Sequence, residues 1–180
     1  MFKSRLSLKD NVTIRVFNAK GEQVKIFVPN LLGRLTGWRI GKMVNELCSS
    51  NLIVNTALSA IGSASFDTSS NLKFSYIAVG SSLTPAKVTD EGLVDELSGN
   101  GMDRKVGVPT KDTTDVANDT QVLTAVFTAT GSHQTIGETG IFSAVSGGVM
   151  YNRHVLRSPL VLEPDFSVQI QHSVQFKGEV

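Results

Sequence analysis

Residues 166–176 read FSVQIQHSVQF, in which apolar and neutral polar side chains alternate without interruption. The apolar positions are Phe166, Val168, Ile170, Val174 and Phe176, and His172 falls on the same side. Alternation with a period of two is typical of a strand that buries one face. The stretch contains no glycine or proline, and it can pair only with strands formed earlier in the chain. We therefore predict a central strand of an antiparallel fold.

The chain has 180 residues, of which 41% are hydrophobic. This length and composition suffice for one domain with a core, or for a compact domain with an arm. The single cysteine, Cys48, allows no internal disulfide, so folding does not require an oxidising compartment. Residues 1–10 contain no apolar run, and no uninterrupted apolar stretch approaches the roughly 18 residues of a membrane helix. We predict neither a signal peptide nor a membrane partner.

The formal net charge is only +1, but the charges are unevenly distributed. Residues 1–42 carry nine basic and two acidic side chains, a net charge of +7, which leaves −6 for the remaining residues. A basic segment beside an acidic body can bind nucleic acid, or it can bind the acidic body of a neighbouring copy. The basic residues are dispersed through strand-like sequence, which favours the neighbouring copy. Nucleic acid is the less favoured partner.

An N-terminal β-hairpin is predicted within this basic segment. Two alternating runs flank the turn residues of 18–21. The apolar members of these runs are Val12, Ile14, Val16, Val24, Ile26 and Val28. We interpret residues 1–42 as an arm that attaches to a neighbouring protein, either by apolar burial or by adding a strand to an open sheet edge. Residues 43–180 then form the body.

The sequence LLGRLTGWRIG, residues 31–41, fits neither the helical nor the strand period and predicts an irregular docking loop. Trp38 lies between Arg34 and Arg39, and Lys42 follows. A tryptophan flanked by arginines can stack on a nucleic-acid base. It can also anchor a loop in a core or an interface, which is the interpretation we favour. These four side chains are candidate interaction residues in either case.

Apolar residues three or four apart predict one or two short helices near 43–62. A second helical turn is predicted near 89–97, where Thr89 can cap the start and the acidic pair Asp90 and Glu91 favours it. The remaining body contains short strands: 72–80, 104–108, 121–130, and a hairpin of 136–144 and 149–156 around Ser146-Gly147-Gly148. The fold prediction is a mainly-β, antiparallel β-sandwich or jelly-roll-like body.

Several stretches together resemble a family of tailed-bacteriophage virion proteins. They are NLIVNTALSAIG (51–62), YIAVGSS (76–82), TPAKVTDEGLVDEL (84–97) and ETGIFSAVSGGVMYNRHVL (138–156). The family pattern has I-A-V-G-T-G, then T-x-P-x-x-x-D-x-x-L, then E-x-G-[IL]-F before a hairpin. Its positions are occupied here by Ile77, Ala78, Val79, Gly80, Thr84, Pro85, Asp90, Leu93, Glu138, Gly140 and Phe142. Ser81-Ser82 replaces the family's T-G, and the first 50 residues lie outside the resemblance.

The resemblance implies a non-enzymatic structural component of the particle, such as a head-decorating, neck or tail accessory protein. Its partners would be copies of itself and other virion proteins, with no cofactor and no small-molecule substrate. It would be found in the virion, and in the host cytoplasm during assembly. One alternative is a tail-fibre or baseplate component that contacts the host receptor. The other is a nucleic-acid-binding module that uses the basic segment.

The titratable residues predict no catalytic or metal site. His133, His154 and His172 lack metal-ligand spacing. The carboxylates Asp112, Asp115 and Asp119 could surround calcium, but their spacing differs from a calcium loop, and we favour a solvated acidic loop. Glu138 lies in an otherwise apolar strand, where an unpaired carboxylate would be costly, so we expect it to form a salt bridge or to act as a cap.

Overall fold

Thirteen strands and one helix make up the described part of this computed structural model, which covers residues 5–29, 41–65, 67 and 70–179. The helix is α1 (Asn55–Ala64). The strands are β1 (Arg5–Phe17), β2 (Gln23–Val24), β3 (Ile26–Pro29), β4 (Gly41–Val44), β5 (Leu47–Ser50), β6 (Leu52–Ile53), β7 (Tyr76–Gly80), β8 (Lys105–Val106), β9 (Val108–Asp112), β10 (Thr120–Thr128), β11 (Gln134–Phe142), β12 (Met150–Leu162) and β13 (Ser167–Glu179).

Strand β13 lies at the centre of the first sheet, whose order is β2-β1-β13-β10-β9, with β5 also paired to β1. It is antiparallel to β1 on one side and to β10 on the other, so that Ile170 lies opposite both Ile14 and Ala125. The prediction of a central antiparallel strand is confirmed. His172 is fully buried on the apolar side, as the alternation indicates.

The second sheet has the order β6-β12-β11-β7-β8. Its longest pairing is the hairpin of β11 and β12, which confirms the predicted hairpin. Gly147 and Gly148 both have positive φ in the turn, a backbone conformation that glycine adopts without steric cost. The pairing shifts between Ile136 and Glu138, and Pro159 lies opposite this irregularity. This irregularity explains why the proline is tolerated within β12.

The two sheets pack face to face around one hydrophobic core. Core side chains come from both sheets and include Val12, Ile14, Leu123, Phe127, Val168, Ile170, Ile77, Val79, Ile136, Ile141, Met150 and Leu162. Helix α1 contributes Ala57 and lies against β12. The chain is mainly β with antiparallel sheets, which confirms the predicted sandwich-like body.

The predicted N-terminal hairpin is present, but it is not a separate arm. Strands β1 and β2 pair only at Val16 and Phe17, whereas β1 pairs along its whole length with β13. Four of the candidate attachment residues, Val12, Ile14, Val16 and Ile26, are buried in the core, and Val24 packs against it. An isolated hairpin is marginal in water, whereas a strand that joins a sheet and a core is stable. The predicted arm–body boundary therefore does not hold for residues 5–17.

The helix predictions are only partly correct. Helix α1 covers the second half of the range 43–62, but the first half forms β4 and β5. Leu47 lies opposite Ile14 in the first sheet, so its apolar side chain belongs to a strand. The range 89–97 is not helical, because the backbone N–H groups of Val94 and Asp95 donate to the carboxylate of Glu138. A distant side chain thus replaces the helical hydrogen bonds.

Candidate functional site

A fully buried ion pair joins neighbouring strands of the second sheet. Glu138 in β11 and Arg153 in β12 are 0% and 1% exposed, and Arg153 Nε donates to Glu138 Oε2 at 2.6 Å. The Glu138 carboxylate also accepts the backbone N–H groups of Val94, at 3.3 Å, and Asp95, at 2.8 Å. Glu138 therefore forms a salt bridge and also caps backbone donors, which confirms the expectation drawn from its place in an apolar strand.

Arg153 uses its remaining donors to hold residues 81–97, which we call the fastened loop. Its Nη1 donates to Asp90 Oδ2 at 2.8 Å, and its Nη2 donates to the carbonyl of Thr84 at 3.0 Å. Burial raises the pKa of Asp90, but the hydrogen bond from Lys87 N–H and the ion pair with Arg153 outweigh it, so this pKa lies below its usual value. The loop is thus anchored to the sheet by charge-assisted hydrogen bonds.

Two glycines of the family pattern make room for this arrangement. A Cβ atom on Gly80 would lie 2.6 Å from both Glu138 Oε1 and the carbonyl oxygen of Asp95. A Cβ atom on Gly140 would lie 2.6 Å from the carbonyl oxygen of Asn152. Neither position can carry a side chain without displacing backbone, so both glycines are needed for close packing of the fastened loop and the sheet.

The family-pattern residues therefore meet in space. Thr84, Asp90 and Glu138 share the Arg153 network, and Gly80 borders it. Ile77, Ala78, Val79 and Phe142 belong to the core, Leu93 packs against the core, and Pro85 is an exposed residue of the fastened loop. Sequence reasoning missed Arg153, although a charged residue within the strand sequence MYNRHVL was a signal that it needed a buried partner.

A second polar network lies between the two sheets. Asn152 accepts the N–H of Ile141 with its Oδ1, at 2.9 Å, which turns its amide nitrogen toward Asp10 Oδ2 and His172 Nδ1. Asn51 Nδ2 also lies 3.2 Å from His172 Nδ1. Because both amides are donors, His172 Nδ1 is an acceptor, and its Nε2–H donates to Thr139 Oγ1 at 3.4 Å. His172 is therefore a neutral core histidine.

Burial shifts both titratable groups of this second network toward their uncharged forms. Burial, with a smaller effect of His154, lowers the pKa of His172 to about 3. Burial raises the pKa of Asp10 to about 7, although hydrogen bonds from Asn152 and Asn51 oppose the shift. Asp10 Oδ1 is buried and has no hydrogen-bond partner among the described residues. Asp10 is thus an incompletely satisfied carboxyl group between the sheets.

The outer face of the first sheet, away from the core, is polar and nearly uncharged at its centre. We define it by Asn11, Thr13, Arg15, Val108, Thr124, Val126, Gln169, Gln171 and Ser173, which lie side by side in the strand register. Val126 is 49% exposed. The single charged member, Arg15, donates to Glu46 at 2.7 Å and to both Gln169 and Gln171 at 3.2 Å. The low charge of this outer face is a property that it shares with interface centres.

The acidic loop satisfies its own carboxylates. Asp119 accepts the side-chain amide of Gln175 and the backbone N–H groups of Thr114, Asp115 and Val116, and these bonds hold its pKa below the usual range. Asp115 pairs with Lys177 at 3.2 Å. The described ranges contain no group of three or more His, Cys, Asp or Glu side chains placed to bind a metal ion.

The remaining candidate interaction residues do not form a described site. Lys42 is exposed on β4. Arg34, Trp38 and Arg39 lie outside the described residues. No helix in the described ranges is both long and apolar enough to span a bilayer.

Comparison with known proteins adds no family to this description. The sequence matches no protein-family model, and no curated protein or solved structure is significantly similar to it. The likeness to tailed-phage virion proteins stays a prediction that rests on the pattern residues and on the contacts they make.

Replacing Glu138 tests the buried ion pair. Glu138→Gln keeps the side-chain shape but leaves Arg153 without its closest counter-charge in the interior. Breaking a buried pair in this way typically costs about 3–5 kcal/mol, and we expect a loss of that order in the free energy of unfolding, measured by urea denaturation. The control is Glu46→Gln, which removes the partly exposed pair with Arg15 and should cost about 0–1 kcal/mol. Equal losses in the two variants would contradict a structural role for the buried pair.

Asp10→Asn tests the network between the sheets, because it keeps an acceptor for Asn152 but cannot ionise. The folded-state pKa of Asp10, about 7, lies above the ordinary value of 3.8, so its contribution is fully present below pH 3.8 and is lost as the pH rises to about 7. We expect wild-type stability to fall relative to Asp10→Asn across this range, by at most about 1.4 kcal/mol per pH unit.

The measurement is the free energy of unfolding of both proteins at several pH values. The slope carries the test, since a constant offset reflects only the changed hydrogen bonding. Asp112→Asn is the matched control, because it removes an exposed carboxylate and leaves Asp10 in place. The free energy of unfolding of this variant should have the same pH slope as that of the wild type. Parallel curves for wild type and Asp10→Asn would show that folding does not raise the pKa of Asp10.

Proposed function

We propose that the protein is a non-enzymatic structural component of a bacteriophage particle. The observation that carries the proposal is the convergence of the family-pattern residues on one buried network. Glu138 lies roughly fifty residues after Thr84 and Asp90 in the chain, yet all three bind Arg153. A short apolar pattern can recur by chance in sequence. The two carboxylates of the pattern, Asp90 and Glu138, have a shared physical reason because both bind one buried arginine, while Thr84 contributes its backbone carbonyl. This shared partner supports the resemblance from which the role is inferred.

The contacts of the family-pattern residues also favour a structural role over a catalytic one. The ion pair is used to hold the fastened loop on the sheet, and both glycines are used to let backbone approach backbone. Charged groups of an active site must reach a substrate, whereas Glu138 and Arg153 are enclosed and have protein partners. A rigid sandwich of this kind suits head decoration, a cement protein, or a neck or tail accessory protein.

Self-association is the second part of the proposal, and the outer face is its candidate surface. Strands β1, β13, β10 and β9 have 13, 13, 9 and 5 residues. At about 4.8 Å between strands and about 3.3 Å per residue, they give a face of roughly 600 Å². Standard interfaces bury about 800 Å² per partner. The centre of the outer face carries threonine, glutamine and valine side chains, with Arg15 neutralised by Glu46. A second copy, with the same neutral face, is a fitting partner.

Attachment to other virion proteins must use surfaces outside the core. Strand β1 is committed to the first sheet, so its apolar residues are not available to a neighbour. The basic residues of segment 1–42 remain candidates for attachment, and one of them, Lys42, is exposed beside β3. In the proposed assembly they face acidic surfaces of neighbouring proteins, and this charge complementarity guides docking more than it adds affinity.

Labelling of purified particles tests the proposed role. Phage particles made in cells that carry the encoding genome should contain the chain as a component found by mass spectrometry. Antibodies against the chain should label a fixed position on these particles in electron micrographs, and that position would separate head from neck, tail and fibre. Recovery of the chain only in the soluble fraction, with unlabelled particles, would overturn the proposal.

Charge on the outer face tests self-association. Val126→Lys places an unpaired cation at the centre of the face, and a two-fold interface would bring two such cations together. We expect wild type to sediment as an oligomer at micromolar concentration and Val126→Lys to weaken association at least tenfold. The matched control is Val161→Lys, an equally exposed valine of the second sheet, which should associate like wild type. A monomeric wild type, or equal effects of both variants, would contradict the assignment of the face.

A further inference from the structure

Strand β12 has an edge that no described strand covers. On the side away from β11, it pairs with β6 only at Asn152 and Arg153. Strand β6 begins at Leu52, and the preceding residue, Asn51, donates its backbone N–H to the carbonyl of Asp10 in β1, at 2.9 Å. The chain therefore leaves β12 at this point, and the edge beyond Arg153 has no partner strand among the described residues.

The backbone of Val155 is directed to this open edge. The carbonyl of Tyr151 accepts the N–H of Val54, which follows β6, so the backbone groups of Tyr151 point to the β6 side. Backbone groups alternate sides along a strand, which places those of Arg153 and Val155 on the same side. The pairing with β11 becomes irregular after Val155, and Pro159 follows, so the open edge is short. An extended peptide can add to such an edge as a further strand.

A groove of about 810 Å³ lies along the open edge. Six consecutive residues of β12, 153–158, line it, and the rest of its described lining comes from β3, β4, residues 46–52 and the fastened loop. Apolar side chains, among them Val44, Leu47 and Leu83, form part of the surface. The volume is within the range of about 300–1,000 Å³ that is usual for ligand sites.

The groove carries two cations that have no counter-ion among the described residues. Lys42 of β4 and Arg157 of β12 line it and are exposed, and neither forms a salt bridge within the described ranges. Arg153 also lines the groove, but its charge is offset by the two carboxylates described above. Glu46, the one carboxylate among the described lining residues, is paired with Arg15. The groove is therefore positive and complements an acidic partner.

We propose that this groove binds an extended acidic segment of another protein. The segment adds a short strand to β12 at Val155, buries apolar side chains in the groove and places carboxylates beside Lys42 and Arg157. The open edge requires an extended backbone, and the two cations select the sign of the charge more than they add affinity. The inference goes beyond the role in a phage particle and does not depend on it, since it rests on the groove alone.

Two labelled peptides test the charge preference on the full chain. The first has roughly eight residues, about 26 Å when extended, and alternates valine with aspartate. The second has lysine in place of aspartate. Binding is measured by fluorescence anisotropy. We expect saturable binding of the acidic peptide below about 1 mM, and binding of the basic peptide that is at least about tenfold weaker.

Two N-methylated forms of the acidic peptide test strand pairing. Methyl groups on every second amide block the N–H groups on one side of an extended peptide, and the two forms differ in which side is blocked. One form should bind about 2- to 10-fold more weakly than the parent, the range expected for one neutral hydrogen bond. The other form should bind like the parent.

Replacing the two cations tests their assignment. The combined variant Lys42→Gln and Arg157→Gln should bind the acidic peptide about 3- to 10-fold more weakly and with less dependence on salt, because two exposed ion pairs are lost. The matched control is Lys111→Gln, which changes an exposed lysine of β9 that does not line the groove. This control should bind like wild type.

The side chain of Cys48 reports where the peptide binds. It is exposed, it lines the groove, and it is the single cysteine of the chain. Bound acidic peptide should slow the reaction of this thiol with iodoacetamide, because the reagent must reach the sulfur. An unchanged rate with bound peptide would place the peptide elsewhere and overturn the proposal.

Four further outcomes would overturn it. The first is that the acidic peptide shows no saturable binding below about 1 mM. The second is equal binding of the two N-methylated forms, which would exclude strand addition. The third is an oligothymidylate that binds and displaces the peptide, which would assign the cations to nucleic acid. The last is slowing of the Cys48 reaction by protein concentration alone, which would assign the groove to a second copy.

Discussion

The buried ion pair of Glu138 and Arg153 is the contact on which the surrounding structure depends. Removing two charges from water costs several kcal/mol per ion, and their attraction offsets this only when the remaining donors and acceptors are also bonded. That requirement fixes the position of the fastened loop, because the loop supplies two N–H groups to the glutamate and a carbonyl and a carboxylate to the arginine. It also explains why Gly80 can carry no side chain.

The polar network between the sheets differs from the ion-pair network, because one of its buried acceptors, Asp10 Oδ1, has no hydrogen-bond partner among the described residues. Asp10 and His172 lie in the same interior. Burial raises the pKa of Asp10 to about 7 and lowers the pKa of His172 to about 3, so the usual order of the two values is reversed. The effect of Asp10 weakens the fold as pH rises from about 4 to 7. The contribution of His172 to the free energy of unfolding is fully present above pH 6.5 and is lost as the pH falls toward 3. The contributions of the two groups therefore change in opposite directions with pH. The fold is therefore less sensitive to mild acid than either group alone would make it.

Alternation in the sequence shows which face of a strand is buried but not which strand lies beside it. Val12, Ile14 and Val16 were read correctly as one apolar face, yet they pair with β13 and not with a neighbouring protein. The need of Glu138 for a partner was predictable from its apolar surroundings. Its partner was not, because Arg153 comes close only through the β11–β12 register. The helix predicted at 89–97 failed for the same reason, since local propensity competes with a carboxylate more than forty residues away.

The pairing of β1 with β13 has a consequence for how the protein is made. About 150 residues separate the end of β1 from the start of β13. At a synthesis rate of roughly 5–20 residues per second, β1 waits on the order of ten seconds or more for its partner. During that time its valine and isoleucine side chains are exposed on the nascent polypeptide, with an unpaired edge that can aggregate. The sandwich cannot be completed until β13 has been made, and this interval is when chaperones would matter most.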